Sequence, residues 1–155
     1  MLTITSRITI SAPKETVSRY LRELKNIPDY EPRIETAEVV SSSGEQSEVS
    51  AAGRFLGLAW KGNMKVTFTR DGGYQAESPL GSIARLEAAY RIHSVSGGTV
   101  LTHEEKFHFP FLIRPFMFVL QGAFLRAAED ELGFIKEGAE LLARRLQLRD
   151  IEKQV

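Results

Sequence analysis

Apolar residues alternate with polar ones from Leu2 to Ile10. A two-residue period is typical of a strand with one buried face, so the chain is predicted to open with a strand. Proline then stands where a first helical turn accepts it, and apolar residues recur at helical spacing, which predicts a helix from about Pro13 to Lys25. Two prolines in residues 26–32 leave room for only a short helical turn before the next strand.

From Ile34 to Phe109 extended runs alternate with turn residues, and no helical spacer separates them. This pattern predicts about six strands joined as antiparallel hairpins, because parallel strands would need crossover connections. Two runs carry their apolar residues on a single parity: Leu56, Leu58, Trp60, Met64, Val66 and Phe68 in one, and Leu86, Ala88, Tyr90 and Ile92 in the other. A sheet that is apolar on one face needs a cover.

The segment from Pro115 to Leu148 can supply that cover. In helical projection it has a charged face opposite an apolar stripe, which comprises Leu120, Phe124, Ala127, Ile135, Gly138 and Leu142. A helix of this length spans about 50 Å. The tail from Asp150 to Val155 is expected to fray. Together the elements predict an α+β fold: a curved antiparallel sheet of about seven strands grips a long C-terminal helix, two short helices follow the first strand, and residues 1–155 form one domain.

Composition narrows the possible functions. Lys+Arg and Asp+Glu number 20 each, so the net charge is +0 and nucleic acid is not an expected partner. The chain has no cysteine, which excludes thiolate chemistry and suits a reducing compartment. The N-terminus lacks the pattern of a signal peptide, and we expect a cytoplasmic protein. Prolines and polar residues interrupt the most apolar window, Phe107 to Leu125, so we expect no transmembrane segment.

Candidate chemistry lies on the last strand and the closing helix. Leu101, His103, Glu105, Phe107 and Phe109 share a parity that the aromatic residues mark as inward. A histidine beside a carboxylate can act as a general acid-base pair. The alternative is that both side chains lie at a solvated cavity mouth.

Glu131 lies at the centre of the apolar stripe, where an unpaired carboxylate would be costly. It can accept a hydrogen bond from a ligand or act as a base whose pKa is raised by desolvation. Alternatively, it pairs with His103 or with an inward arginine. The stripe therefore predicts a hollow lined mainly by hydrocarbon, with a few polar groups directed into it. Small residues on the helix, Ala127, Ala128, Gly138 and Ala139, also favour a pocket.

Other catalytic patterns are missing. The chain has no dinucleotide fingerprint and no recognisable nucleophile elbow. Of the three histidines, His93 has the outward parity of its strand and His108 has the parity opposite to His103. We therefore expect neither a metal site nor a cofactor.

Several local motifs follow in a characteristic order: the strand-to-helix start at residues 10–17, the short second helix at 26–32, the last strand at 98–102 and the long closing helix. This order resembles the START-like, or helix-grip, superfamily, which includes polyketide cyclases, plant pathogenesis-related allergens, lipid-transfer domains and coenzyme-Q-binding proteins. Residues 81–87 are similar to the coenzyme-Q-binding and cyclase branches. The resemblance covers nearly the whole chain and implies an elongated apolar cavity between the sheet and the C-terminal helix. It does not imply one chemistry.

Three hypotheses follow. The first is non-catalytic binding of a small hydrophobic or amphipathic ligand of the lipid, quinone or aromatic polyketide type. The second is an enzyme of the cyclase or dehydratase type that uses His103 and Glu131 as acid-base groups. The third is a module with a vestigial pocket, whose aromatic cluster of Phe109, Phe111, Phe116 and Phe118 binds another protein or a membrane surface. The chain is expected to be a monomer or a homodimer. The predicted ligand-contacting residues are Trp60, Met64, Phe68, Leu86, Tyr90, His103, Glu105, Phe107, Leu120, Phe124, Glu131 and Ile135.

Overall fold

A computed structural model describes all 155 residues of the chain. The strands are β1 (Leu2–Ile10), β2 (Ile34–Ser43), β3 (Gln46–Phe55), β4 (Leu58–Phe68), β5 (Tyr74–Leu80), β6 (Ala84–Val95) and β7 (Gly98–His108). The helices are α1 (Lys14–Arg22), α2 (Ile27–Tyr30) and α3 (Met117–Gln154), and 3-10 turns occupy Leu24–Asn26 and Phe111–Phe116. The predicted α+β order of one strand, two short helices, six strands and a long helix is confirmed.

The seven strands form one antiparallel sheet in the order β1-β7-β6-β5-β4-β3-β2. Consecutive strands from β2 to β7 pair as hairpins. Strand β1 pairs with β7 and forms the edge of the sheet opposite to β2. The shortest of the hairpin ladders inside the sheet joins β4 and β5, where only Lys65–Phe68 and Tyr74–Glu77 are paired. Pro79 lies just beyond this ladder and has no N–H to extend it. Beyond this ladder the two strands are no longer paired, although the Pro79 ring still lies against Gly62 of β4.

Helix α3 packs across β1 and against α1 and α2. Its buried residues are Met117, Phe124, Ala128, Glu131, Leu132, Ile135 and Ala139. The inward position of Glu131 is confirmed, but the predicted stripe is rotated slightly, since Leu120, Ala127, Gly138 and Leu142 are only half-buried. The expectation of a frayed tail is wrong: α3 continues as helix to Gln154, with its last turns exposed.

The β3–β4 hairpin departs from the predicted pattern at its turn. Leu56 and Leu58 are exposed rather than buried, although Trp60, Met64 and Val66 on the same parity are buried as expected. Leu56 and Gly57 both have positive φ, 50° and 80°, which is the conformation that a two-residue hairpin turn requires. Leu56 lies in the turn, where strand parity no longer applies. Leu58 is the first residue of β4 and pairs with Phe55, so it keeps the parity of Trp60 but remains exposed at the end of the strand.

Candidate functional site: a buried cluster of ionisable side chains

Five ionisable side chains meet beneath α3. His103 and Glu105 extend inward from β7, and Glu131 extends from α3. Glu31 and Arg33 come from the segment that connects α2 to β2. Glu131 and His103 have no solvent exposure and Glu105 has 1%. The alternative that His103 and Glu105 lie at a solvated mouth is therefore wrong.

Arg33 lies at the centre of this cluster. Its Nε and Nη2 donate to the two carboxylate oxygens of Glu31 at 2.7 and 2.6 Å, which is a bidentate ion pair. Nη2 also donates to Glu105 Oε1 and lies 3.6 Å from Glu131 Oε2. The guanidinium carbon is 5.3 Å from the centre of the Phe107 ring. Arg33 thus faces three carboxylates, and this is the inward arginine that a buried Glu131 requires.

The main chain beside Arg33 is held by a close approach of two strands. A side chain at Gly53 of β3 would collide with the Arg33 carbonyl group, so only glycine fits there. The same carbonyl accepts a hydrogen bond of 3.1 Å from the indole Nε1 of Trp60. Gly53 and Trp60 therefore fix the position from which the guanidinium extends.

Aromatic rings form one wall of the cluster. The Tyr90 hydroxyl donates to Glu131 Oε1, and the Tyr90 ring stacks on His103 with centroids 4.2 Å apart and planes at 9°. Tyr74 lies against Tyr90 at 4.6 Å and shares a hydrogen bond of 2.8 Å with Tyr30. These contacts orient the His103 imidazole between Glu105 and Glu131.

Four buried polar atoms of the cluster have no hydrogen-bond partner. They are both ring nitrogens of His103, Glu105 Oε2 and Glu131 Oε2. His103 Nε2 lies 3.8 Å from Glu105 Oε1, and Nδ1 lies 3.9 Å from Glu131 Oε2, which is too long for a hydrogen bond. Buried polar atoms are almost always hydrogen-bonded, so these four unpaired atoms indicate a site that binds polar atoms from outside the chain.

Burial sets the protonation states. Burial lowers the pKa of His103 to about 3, so its imidazole is neutral near pH 7 and offers one donor and one acceptor. Burial, together with the nearby carboxylates of Glu31 and Glu105, raises the pKa of Glu131 well above its ordinary value. Burial also raises the pKa of Glu105, although Arg33 opposes this shift. Burial alone would raise the pKa of Glu31, but the charge and hydrogen bonds of Arg33 lower it.

The cluster also contains a set of possible metal ligands. One donor atom each from His103, Glu105 and Glu131 lies within 4.8 Å of the others, and imidazole with carboxylates can bind a divalent transition metal. The parities of the three histidines gave no indication of this set, because two of its three members are glutamates. Arg33 already places a cation against Glu105 and near Glu131, which opposes a second one. The absence of a metal site stays a prediction.

An apolar cleft adjoins the cluster. Its volume is about 30 Å³, which is room for about two water molecules. The cleft extends between the α2–β2 segment and the inward faces of β4, β5 and β6. Its lining comprises Ile27, Glu31, Arg33, Ile34, Met64, Tyr74, Ala76, Ser78, Leu80, Leu86, Ala88 and Tyr90. The interior beside this cleft is occupied by buried side chains of the core, among them Phe107, Phe124 and Leu132.

The polyketide cyclase / dehydrase and lipid transport family model matches residues 1–147. The chain belongs to this family. Its fold is the helix-grip fold of the START-like superfamily, as the motifs in the sequence had implied. No curated protein has significant sequence similarity to this chain.

Solved structures show the same fold at low identity. TTHA0849 from Thermus thermophilus is 18% identical with a TM-score of 0.77, over 90% of this chain and 98% of that one. The Zhui aromatase/cyclase from Streptomyces sp. R1128 is 14% identical with a TM-score of 0.72, over 90% and 93%. A STAR-related lipid transfer protein from Xanthomonas axonopodis is 11% identical with a TM-score of 0.64, over 88% and 84%.

In this member of the family the predicted site residues fall into separate groups. Tyr90, His103, Glu105 and Glu131 form the polar cluster. Met64, Leu86 and Tyr90 line the cleft. Phe107 and Phe124 stack on each other at 4.7 Å, and Phe55 and Phe109 join the stack. The remaining four are placed away from the cleft: Trp60 beneath the Arg33 carbonyl, Phe68 half-buried under Arg22, Ile135 in the core and Leu120 at its edge.

Sequence reasoning missed Arg33 and Glu31, and it missed Tyr30 and Tyr74 of the aromatic wall. One signal for Arg33 was available, because an inward Glu105 and an inward Glu131 together demand a buried cation. No local pattern indicates which arginine is the buried cation, because Arg33 lies between two elements and follows no periodic pattern.

Proposed function

We propose that the protein binds a small hydrophobic or amphipathic molecule of the lipid, quinone or aromatic polyketide type. Its polar end would lie at His103, Glu105 and Glu131, and its apolar body would occupy a widened form of the adjoining cleft. The observation that carries this proposal is the group of four unpartnered buried polar atoms, whose neighbours Glu31, Arg33 and Tyr90 line an apolar cleft. The family match and the lipid transfer protein among the structural neighbours support it.

The chemistry of the cluster favours a ligand with a carbonyl or hydroxyl group. A neutral His103 can donate one hydrogen bond and accept one, and a protonated Glu131 can donate. Each unsatisfied buried group costs about 1–3 kcal/mol, so a ligand oxygen that pairs with these atoms recovers part of that cost. Nε and Nη2 of Arg33 already donate to carboxylates, and three buried carboxyl groups lie around this guanidinium, which makes an anionic head group a poorer fit than a neutral one.

Binding such a ligand requires the interior to widen. The present cleft of about 30 Å³ accepts water but not a quinone ring or an acyl chain, whose pockets are about 300 Å³ or more. The short β4–β5 ladder is the place where the sheet resists widening least, because Pro79 leaves the strands unpaired beyond Lys65 and Glu77. We therefore assign ligand entry to the gap between these two strands.

A second function is favoured by the opposite protonation shifts of two neighbouring groups. Burial lowers the pKa of His103 to about 3 and raises the pKa of Glu131, with 3.9 Å between His103 Nδ1 and Glu131 Oε2. Glu131 in its acid form could protonate the oxygen of a reactive carbonyl chain during cyclisation or dehydration, and His103 could accept a proton once the bound substrate raises its pKa toward neutrality. The aromatase/cyclase among the structural neighbours supports this alternative.

Mass spectrometry of a solvent extract of the purified protein is the experiment that identifies the ligand class. We expect a recurring lipid, quinone or polyketide, and the same compound should then bind the delipidated protein. Glu131→Gln and His103→Ala should each weaken its binding roughly tenfold, since each removes about one buried hydrogen bond. Glu104→Gln, on the outer face of β7 beside Glu105, is the matched control and should bind normally.

Turnover assays separate the two functions. Binding alone is contradicted if Glu131→Gln and His103→Ala keep the affinity of the native protein while abolishing conversion of the extracted compound or its precursor. If neither extract nor binding reveals an apolar ligand, the proposal of a ligand-binding function fails as a whole.

A further inference from the structure

One end of the molecule exposes an unusual number of large apolar side chains. In the 3-10 turn and first turn of α3, five of them are between 64 and 82% exposed. The β3–β4 turn adds Leu56 and Leu58, at 47 and 57%. We name this surface the apolar tip, which comprises Leu56, Leu58, Phe111, Leu112, Phe116, Phe118 and Val119. Single exposed apolar residues are common, but a group of this size marks a surface that meets something apolar.

The two parts of the apolar tip lie at the same end of the fold. Phe55, which precedes Leu56, stacks on Phe109 at 6.2 Å and on Phe124 of α3 at 5.9 Å. Phe109 leads directly into the 3-10 turn, and Phe124 lies less than two turns of helix beyond Phe118. The exposed side chains therefore surround a buried aromatic stack that joins the hairpin to α3.

The turn residue Leu56 is placed against local preference. Its φ of 50° lies in the left-handed region, where asparagine or glycine is the usual residue of such hairpin turns. At position 56 a leucine is favoured neither by the left-handed backbone conformation nor by burial of its side chain. An apolar contact outside the chain would account for a leucine at this position.

Cations predominate in the two chain segments that carry the apolar tip. Residues 49–70 contain four cations and no carboxylate, and residues 106–128 contain three arginines or lysines and no carboxylate. The cations beside the tip include Arg54, Lys61, Arg114 and Arg126, all exposed. Glu35 lies 3.7 Å from Arg54, but both side chains are exposed and such a pair is weak. In a chain of net charge +0, this end is therefore locally basic.

We propose that the apolar tip docks on the surface of an anionic lipid bilayer, with Phe111, Phe118 and their neighbours inserted at the head-group level. Exposed aromatic residues surrounded by basic side chains are typical of proteins that bind at the membrane interface.

A second copy of the chain fits the apolar tip less well than a bilayer does, because a twofold interface would bring the same cations of both copies together. The segment that carries most of the tip is also apolar and largely uncovered: an 18-residue window of Phe111–Gln154 has a mean hydropathy of 1.3 and is only 17% buried. This inference goes beyond the ligand-binding function and does not depend on it.

Co-sedimentation with vesicles tests the proposal without any bound ligand. Vesicles of phosphatidylcholine with phosphatidylglycerol at a molar ratio of about 7:3 should bind the protein, and vesicles of phosphatidylcholine alone should bind it several-fold less. Phe111→Ser with Phe118→Ser should reduce binding to the anionic vesicles roughly tenfold or more. Arg114→Glu with Arg126→Glu should remove the difference between the two vesicle types, as should high salt.

The far end of α3 supplies the matched control. Leu148 and Ile151 are 61 and 58% exposed, and Leu148 lies about 45 Å along the helix from Phe118. Leu148→Ser with Ile151→Ser should bind vesicles as the native chain does. The proposal is overturned if the native chain binds neither vesicle type, or if both serine pairs reduce binding equally. It is also overturned if Phe111→Ser with Phe118→Ser converts a dimer to a monomer, by sedimentation equilibrium, without changing vesicle binding.

Discussion

Replacement of Arg33 by methionine is expected to lower the free energy of unfolding by about 3–5 kcal/mol at pH 7. Methionine keeps much of the apolar stem but removes the guanidinium from Glu31, Glu105 and Glu131, whose carboxylates are all buried. Removal of one partner from a buried ion network leaves charges that neither water nor protein compensates. The loss is measured by urea unfolding followed by circular dichroism.

The pH dependence of this loss identifies its cause. Without Arg33, the pKa of Glu31 would rise above its unfolded value, and the pKa values of Glu105 and Glu131, which are already raised, would rise further. The unfavourable contribution of the three carboxyls therefore grows as the pH rises above about 4.5. The deficit of Arg33→Met should therefore be smaller at pH 5 than at pH 7.

Arg54→Met is the matched control for Arg33→Met. Arg54 pairs with Glu35 at 3.7 Å, but the two side chains are 66 and 62% exposed, and we expect a loss below about 1 kcal/mol. Equal losses for the two substitutions, or a deficit at Arg33 that does not change with pH, would contradict the role of Arg33 as the buried counter-charge.

Acidification is expected to destabilise the protein specifically through His103. The imidazole titrates near 6.5 in the unfolded chain and at about 3 in the folded one. Between these values the unfolded state binds a proton that the folded state excludes, so stability is lost as the pH falls from about 6.5 to about 3. The full loss is on the order of 4–5 kcal/mol, of which about 3 kcal/mol is reached by pH 4.5.

His103→Phe isolates this contribution, because phenylalanine preserves a ring against Tyr90 but does not titrate. The free energy of unfolding of the native chain, minus that of His103→Phe, should fall by about 3 kcal/mol between pH 7 and pH 4.5. His93→Phe, on the exposed outer face of β6, serves as the control and should leave the acid dependence of the native chain in place. A difference between native and His103→Phe that is constant with pH would show that His103 is not held neutral by burial.

The faces of the strands were predictable because alternation is a local property. Burial alternates without exception along β7 from Gly98 to His108, and this pattern alone placed His103 and Glu105 inside. Glu131 followed from helical periodicity in the same way. The prediction was wrong at Leu56, because the hairpin turn rather than the strand parity decides where its side chain points. It was wrong at Leu58 because that residue lies at the end of β4, where its side chain is not covered.

The composition of the site was only partly predictable. Arg33 and Glu105 are 72 positions apart and meet because α2 packs beside the sheet, a long-range arrangement that no local pattern encodes. The size of the cleft was also beyond pattern reasoning, since it depends on how fully the rings of Tyr74, Tyr90 and Phe107 occupy the interior.

The placement of Trp60 gives the protein an intrinsic optical reporter. It is the only tryptophan in the chain, it is 5% exposed, and its indole N–H is bound to the main chain of the residue that organises the buried charges. Any guest that displaces Arg33 must alter the polarity around this fluorophore. The emission maximum therefore registers occupancy without a dye, a label or knowledge of the compound.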